Sequence, residues 1–319
     1  MVSALQQVVR GDAAGDPGSR SRDIRAVLVQ VLALNLLVAA VKLAYGLMTG
    51  AISMVADGIH SLMDSSSNVV GLVGTAIAAR PPDPGHPYGH RKFEVIAALG
   101  ITFLLFLACY EILTGSVARL MTPKAPEVTR ASFVIMILTI LINAFVTIYE
   151  SKRGRALRSP ILVADSLHTR SDIYASLAVL TGLAGVTLGR PIFDPLAAFV
   201  VVGLIARAGY RIVASSLDVL ADARVYSPEE IAAAAMQVEG VIDCHDVRTR
   251  GLPDHVHLDF HLTVAPHTPT SESHAIAHRV IESIQGRFPG IRDVTPHVEP
   301  PGADESIDHP AAATEGRVK

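Results

Sequence analysis

The chain has 319 residues, of which 50% are hydrophobic and 18% charged, with a formal net charge of −3. Soluble domains carry about a quarter charged residues, so the composition favours a membrane protein over a soluble one, and the lack of a basic block argues against a nucleic-acid partner. Cys109 and Cys244 lie far apart and offer neither a disulfide framework nor a Cys-rich zinc site.

Residues 1–24 carry Gly, Asp and Arg without an apolar core. They read as a disordered N-terminal tail and not as a cleavable signal. Six apolar stretches follow, at 26–48, 51–79, 95–117, 131–149, 161–188 and 192–212. Each is long enough, as a helix, for a hydrocarbon layer of about 30 Å. The spacing therefore predicts six transmembrane helices within a domain at 25–215. The second and fifth stretches contain acids and histidines, so they must face inward and not toward lipid. Basic residues set the orientation. With both termini in the cytoplasm, eleven fall on the inner flanks (Arg10, Arg20, Arg22, Arg25, Arg80, Arg91, Lys92, Lys152, Arg153, Arg155, Arg158) and four outside (Arg119, Lys124, Arg130, Arg190).

After the last stretch the character becomes that of a soluble domain, at 216–300. A helix is expected at 228–239 behind Ser227 as N-cap, then strands at 241–250 and 255–264 around a Gly-Leu-Pro-Asp turn. In the second strand Val256, Leu258, Phe260, Leu262 and Val264 alternate with His255, His257, Asp259, His261 and Thr263. One face is thus apolar and the other polar. A helix at 271–288 and a strand at 291–297 complete an αββαβ order, which predicts a small open-faced α+β domain of the ferredoxin or metallochaperone kind. Residues 301–319 are expected to be a disordered tail.

Two stretches repeat one pattern: Ala56-Asp57-Gly58-Ile59-His60-Ser61-Leu62-Met63-Asp64 and Ala164-Asp165-Ser166-Leu167-His168-Thr169-Arg170-Ser171-Asp172. Spacings of three and four put Asp, His and Asp on one helical face. The two helices run antiparallel. His60 and Asp64 lie 9–13 residues from the outer end of one, and His168 and Asp172 lie 7–11 residues from the inner end of the other. At about 1.5 Å per residue both pairs fall near the bilayer midplane, with His60 level with Asp172 and Asp64 with His168. Two imidazoles and two carboxylates make an N₂O₂ set that suits Zn²⁺ first, then Co²⁺, Fe²⁺, Cd²⁺ or Mn²⁺. The alternative is a structural polar patch. Each buried acid costs about 2.5–3.5 kcal/mol, so Asp57, Asp64, Asp165 and Asp172 together cost on the order of 10 kcal/mol. Such a cost marks function. Asp57 and Asp165 read as orienters of the histidines or as pathway lining. Arg170, Lys42 and Asn35 read as pairing or snorkelling groups.

The paired HSLMD and HTRSD strings, the loop string Asp83-x-x-His86-Pro87-Tyr88-Gly89-His90-Arg91-Lys92-Phe93-Glu94 and the stretch from His245 to Arg250 resemble the cation diffusion facilitator family in that order. The resemblance spans about 25–300. It implies a homodimeric secondary transporter in the cell (inner) membrane, exporting a divalent cation in exchange for protons by alternating access. It carries the transport-site role onto His60, Asp64, His168 and Asp172, in the combination typical of zinc-preferring members. It implies a second metal position at Asp83, His86 and His90, where the alternative is a stiff proline-rich turn with solvated histidines. It also implies a regulatory metal position at His245, His261, His274, His297 and Glu299, near the dimer interface. Glutamate at 299 departs from the aspartate common in relatives. His255 and His257 share the strand face of His261 and either join that site or face water; His267 and His278 receive no role.

Two other functions compete. A membrane-embedded metalloenzyme would need an open coordination position and a general base, as in H-E-x-x-H, and no such string occurs. A metal-responsive sensor would leave the intramembrane acids unexplained.

Overall fold

A computed structural model describes residues 17–49, 52–121, 130–187 and 193–302. It divides into two compact units, with the boundary along the chain between Ala221 and Asp222.

The first unit consists of α1 (Pro17–Thr49), α2 (Ile52–Ala78), α3 (Phe93–Met121), α4 (Arg130–Ala156), α5 (Pro160–Thr187) and α6 (Phe193–Leu220). Local chemistry sets several of their ends. Pro17 and Pro160 open α1 and α5, where a missing N–H costs nothing and φ is already helical. Ser159 Oγ accepts the Leu162 N–H at 3.4 Å at the α5 start. Glu94 in the first turn of α3 and Arg153 and Arg155 in the last turn of α4 complement the helix dipole.

Helix α1 begins at Pro17 and therefore enters the segment expected as a tail to residue 24. The cause is a polar anchor. Arg20 donates from Nη1 and Nη2 to the Glu94 carboxylate at 2.7 and 3.1 Å, and from Nε and Nη2 to the carbonyls of Leu157 and Arg158 at 2.7 and 3.0 Å. Arg91 Nη1 adds a further bond to Glu94 at 2.6 Å. Likewise α6 runs to Leu220, past the expected boundary at 215.

The unit's core joins Ile24, Val27, Leu28 and Val31 of α1 to Ala97, Ala98 and Ile101 of α3, and to Val146, Ile161, Leu162, Ala164 and Ile212. Helix α2 lies close against its neighbours because glycines face them. A Cβ on Gly74 would come within 2.2 Å of Ala97 Cβ, and one on Gly71 within 2.9 Å of Ile161 Cγ2. The outside is apolar: Leu37, Phe103, Leu141 and Phe145 are all more than half exposed, as a lipid-facing surface requires. Three of these helices are long and apolar enough to cross a membrane on composition alone among the described residues, at Ser19–Met48, Phe93–Gly115 and Phe199–Leu220. Helices α2 and α5 turn polar side chains inward instead: Ser65, Ser67, Asn68, Asp165, Ser166, His168, Thr169 and Ser171 are all buried.

The second unit runs α7 (Pro228–Ala235), β1 (Asp243–Leu252), β2 (His255–Thr263), α8 (Thr270–Arg287) and β3 (Ile291–Glu299), the αββαβ order. Strand order is β1-β2-β3, antiparallel across β1/β2 and parallel across β2/β3. The even positions of β2, Val256 to Leu262, bury against Ile276, Ala277, Val280 and Ile284 of α8 and Ile231 of α7. The odd positions carry histidines and Asp259 on the other face. Ser227 is the α7 N-cap residue but makes no side-chain cap bond; its hydroxyl goes to the Glu229 carboxylate. Gly290 holds φ +100, and a Cβ there would meet the Pro253 carbonyl oxygen at 2.2 Å, so only glycine fits the entry to β3.

Candidate metal centre

Three His/carboxylate clusters are assembled among the described residues. The first lies inside the helical unit. Asp64 of α2 and His168 and Asp172 of α5 each offer one ligand atom, all within 4.8 Å of one another. His168 Nε2 stands 3.9 Å from Asp64 Oδ1. The spacing has a helical cause, since His168 and Asp172 are one turn apart on α5 and α2 brings Asp64 alongside. Neither ring nitrogen of the buried His168 has a hydrogen-bond partner among the described residues. Buried polar atoms normally find one, and an imidazole with both nitrogens open in an acidic pocket is a ligand in waiting for a cation. A cavity of ≈ 20 Å³ opens here, lined also by Asn35, Ser61, Ser67, Thr139 and Asn143. It is roomy enough for one small guest of about water size, and its lining offers neutral oxygens besides the carboxylates. The side chains of His60 and Asp57 lie outside the described residues, although their positions fall within α2.

Asp165 does not orient His168. Its Oδ2 accepts the Asn68 amide, and Asn68 in turn accepts from Asn35 at 3.1 Å. Lys42 is buried and donates to Ser61 Oγ at 2.8 Å, and Arg170 lies over the Tyr174 ring at 5.4 Å. The Asn35–Asn68–Asp165 chain and the lining residues Thr139 and Asn143 are not legible in the motif. The only available signal was polarity inside an apolar stretch.

The second cluster is in the α2–α3 loop. Asp83 Oδ1 accepts the backbone N–H groups of Gly85 and His86 at 2.9 and 2.7 Å. Its oxygens lie 3.3 Å from His86 Nδ1 and 3.2 Å from His90 Nε2. The backbone bond from His86, first among several, holds the Asp83 carboxyl below its ordinary value, because these donors favour the ionised form. The imidazoles of His86 and His90 lie tilted against each other, 4.4 Å between ring centroids. The loop is therefore both the stiff turn and a convergent Asp-His-His set. Gly89 at φ +83 makes its last bend.

The third cluster is on the polar sheet face. Glu299, 8% exposed, lies 3.1 Å from His245 Nε2, 3.2 Å from His261 Nδ1 and 3.7 Å from His297 Nε2. Strand register produces it, since His245 faces His261 across β1/β2 and His261 faces His297 across β2/β3. Asp243, which sequence reasoning passed over, sits 3.1 Å from His245 Nδ1. His274 is not in this cluster. It stands on exposed α8, 4.4 Å ring to ring from His278, because α8 covers the apolar side of the sheet. His257 pairs with Asp293 at 3.2 Å and packs on His255 at 5.2 Å, away from Glu299.

The family model for the cation efflux transmembrane domain matches residues 28–221, and that for the cation efflux protein cytoplasmic domain matches 227–301. The chain belongs to the cation efflux family. As a member it is a membrane transporter of divalent metal cations and not an enzyme. It is similar to an uncharacterized transporter of Methanocaldococcus jannaschii, at 32% identity over 80% of this chain and 91% of that one. Metal tolerance protein C1 of Arabidopsis thaliana is 33% identical over 81% of this chain and 59% of its own length. Magnetosome protein MamB of Paramagnetospirillum magneticum is 30% identical over 80% and 87%.

Proposed function

We infer that the chain is a zinc exporter that moves one Zn²⁺ against protons through a site made by Asp64, His168 and Asp172, with His60 as fourth ligand. The observation that carries this reading is the buried His168, with no hydrogen-bond partner at either nitrogen among the described residues, and two carboxylates whose oxygens converge on it within 4.8 Å. Two imidazoles and two carboxylates suit tetrahedral zinc, and Co²⁺, Cd²⁺, Fe²⁺ and Mn²⁺ follow.

Proton coupling follows from the ligand type. Histidine binds metal only when neutral, so metal loading expels its proton. Exposure of the site to a more acidic outside returns the proton and releases the ion. Alternating access then needs only that α2 and α5 present the site to one side at a time. The excess of basic residues on one set of flanks supports cytoplasmic termini and an inner-membrane location.

Asp83, His86 and His90 serve as a second metal position, and His245, His261, His297 and Glu299 as a regulatory one on the cytoplasmic domain of a homodimer. His274 joins that position only if a second chain or a rearranged α8 brings it there. Metal-driven proton flux in proteoliposomes tests the reading. Flux is expected in the wild type and lost in His168→Ala; transport that continues unchanged in that variant overturns it.

A further inference from the structure

A second pair of acids is buried in the helical unit, and the metal centre does not use it. Glu150, near the end of α4, and Asp165, near the start of α5, are both 0% exposed. Their carboxyls lie within hydrogen-bonding reach of each other. Yet both Glu150 oxygens and Asp165 Oδ1 have no donor among the described residues. Two ionised carboxylates in that position would repel each other without water to screen them. One proton removes the conflict: it turns the contact into an O–H···O⁻ bond and supplies the donor that the orphaned oxygens lack.

The surroundings favour a proton over a metal ion. From α5 the groups against Glu150 are the Asp165 carboxyl and the Thr169 hydroxyl, and that hydroxyl donates to the Asp165 carbonyl at 3.3 Å. From α2, Asn68 presents its amide N–H to Asp165 Oδ2. Its own oxygen is held by Asn35 of α1 at 3.1 Å, which fixes the direction of the chain of donors. A donor aimed at Asp165 stabilises an anion there and takes up an oxygen that a cation would need. Beside Glu150, the Tyr149 hydroxyl is turned away to Gln30 of α1 at 2.8 Å. No lysine or arginine acts on Glu150 among the described residues. The Asn35–Asn68 relay thus brings its donor to Asp165, and Glu150 is the group that carries the proton.

We propose that Glu150 and Asp165 hold one proton between them, making a proton-binding site inside the bundle beside the metal centre, whose cavity wall includes Asn35 and Thr169. The proton ties the end of α4 to the start of α5, and its loss sets two like charges between those helices. The inference does not depend on which metal is carried, or on His168 being a ligand.

Infrared spectroscopy of the full-length protein in liposomes tests it. At neutral pH the wild type should show the carbonyl stretch of one buried protonated carboxylic acid, still present after saturation with Zn²⁺. Glu150→Gln, which keeps the shape of the side chain, should lose that band. Asp165→Asn should keep a band shifted in frequency, because the acceptor changes from carboxylate to amide. A wild type with no such band at any pH down to neutral, or a band unmoved by Glu150→Gln, overturns the proposal. Should Asp165→Asn fail to fold, bleaching of the wild-type band on raising the pH and its loss in Glu150→Gln still decide.

Discussion

Replacing Arg20 by methionine should destabilise the helical unit far more than a change near a chain terminus ordinarily does. The Glu94 side chain is 0% exposed and that of Arg20 only 11%. Four hydrogen bonds leave the guanidinium, two to the carboxylate and two to carbonyls in the α4–α5 connection. Breaking a buried ion pair from one side costs about 3–5 kcal/mol because the other charge is left behind. Arg91 still contacts Glu94 at 2.6 Å, which places the loss at the lower end, about 3 kcal/mol. For a unit of this size about 1 kcal/mol moves Tm by roughly 2–4 °C, so Arg20→Met should lower it by roughly 6–12 °C. Arg20→Lys should recover less than half, since an ammonium cannot make the fork. The assay is thermal unfolding in detergent of Arg20→Met, Glu94→Gln and the double variant. The double should be clearly less damaged than the sum of the singles, with a coupling of about 1–3 kcal/mol. Additive singles, or an Arg20→Met Tm within experimental error of wild type, would refute the anchor.

Gly74→Ala should impair folding, since its Cβ would stand 2.2 Å from that of Ala97, whereas Gly115→Ala meets nothing within 4 Å and should be neutral or stabilising; overpacking of this kind costs about 1–3 kcal/mol, readable as yield of monodisperse protein. Glu299→Ala removes the carboxylate that three histidines approach, so equilibrium dialysis should count at least one fewer Zn²⁺ per chain at low free metal, with transport-site binding intact. Burial, and after it the Asp243 carboxylate, pushes the Cys244 thiol up to about 11. The folded chain therefore binds that proton more tightly than the unfolded one. Its stabilising effect is complete below the ordinary thiol value and is lost as the pH rises from there toward 11. At pH 8 a thiol reagent should leave Cys244 unmodified until denaturant is added, and rapid labelling of the native protein would contradict this.

The sequence was most legible where a period carried the chemistry. The i,i+4 pair His168 and Asp172 and the alternation from Val256 to Val264 each place side chains on one face by backbone geometry alone, and the α/β order of the second unit follows from them. Long-range polar pairings were not legible. Arg20 sits in a stretch that reads as a tail, and only the folded position of Glu94 reveals its partner. Glu150 lies just past the end of the apolar stretch at 131–149 and received no role from the sequence, although the fold buries it completely. Asp165 shares a motif with His168 and invites the role of orienter, but one helix cannot tell which neighbour will offer an amide, and Asn68 does. His274 shows the converse limit. Family resemblance groups it with the sheet histidines, while the chain's own packing puts α8 on the opposite side of the sheet.

The most direct test of the transport site is radioactive ⁶⁵Zn²⁺ uptake into inside-out vesicles under an imposed proton gradient. Wild type, Asp64→Ala, His168→Ala and Asp172→Ala would be compared with His86→Ala and Glu299→Ala at equal protein levels. The three intramembrane variants should fall to the level of empty vesicles, while the other two should keep measurable gradient-driven uptake with an altered metal dependence. Uptake retained by His168→Ala, or abolished only by the loop and sheet variants, would contradict a metal path through α2 and α5.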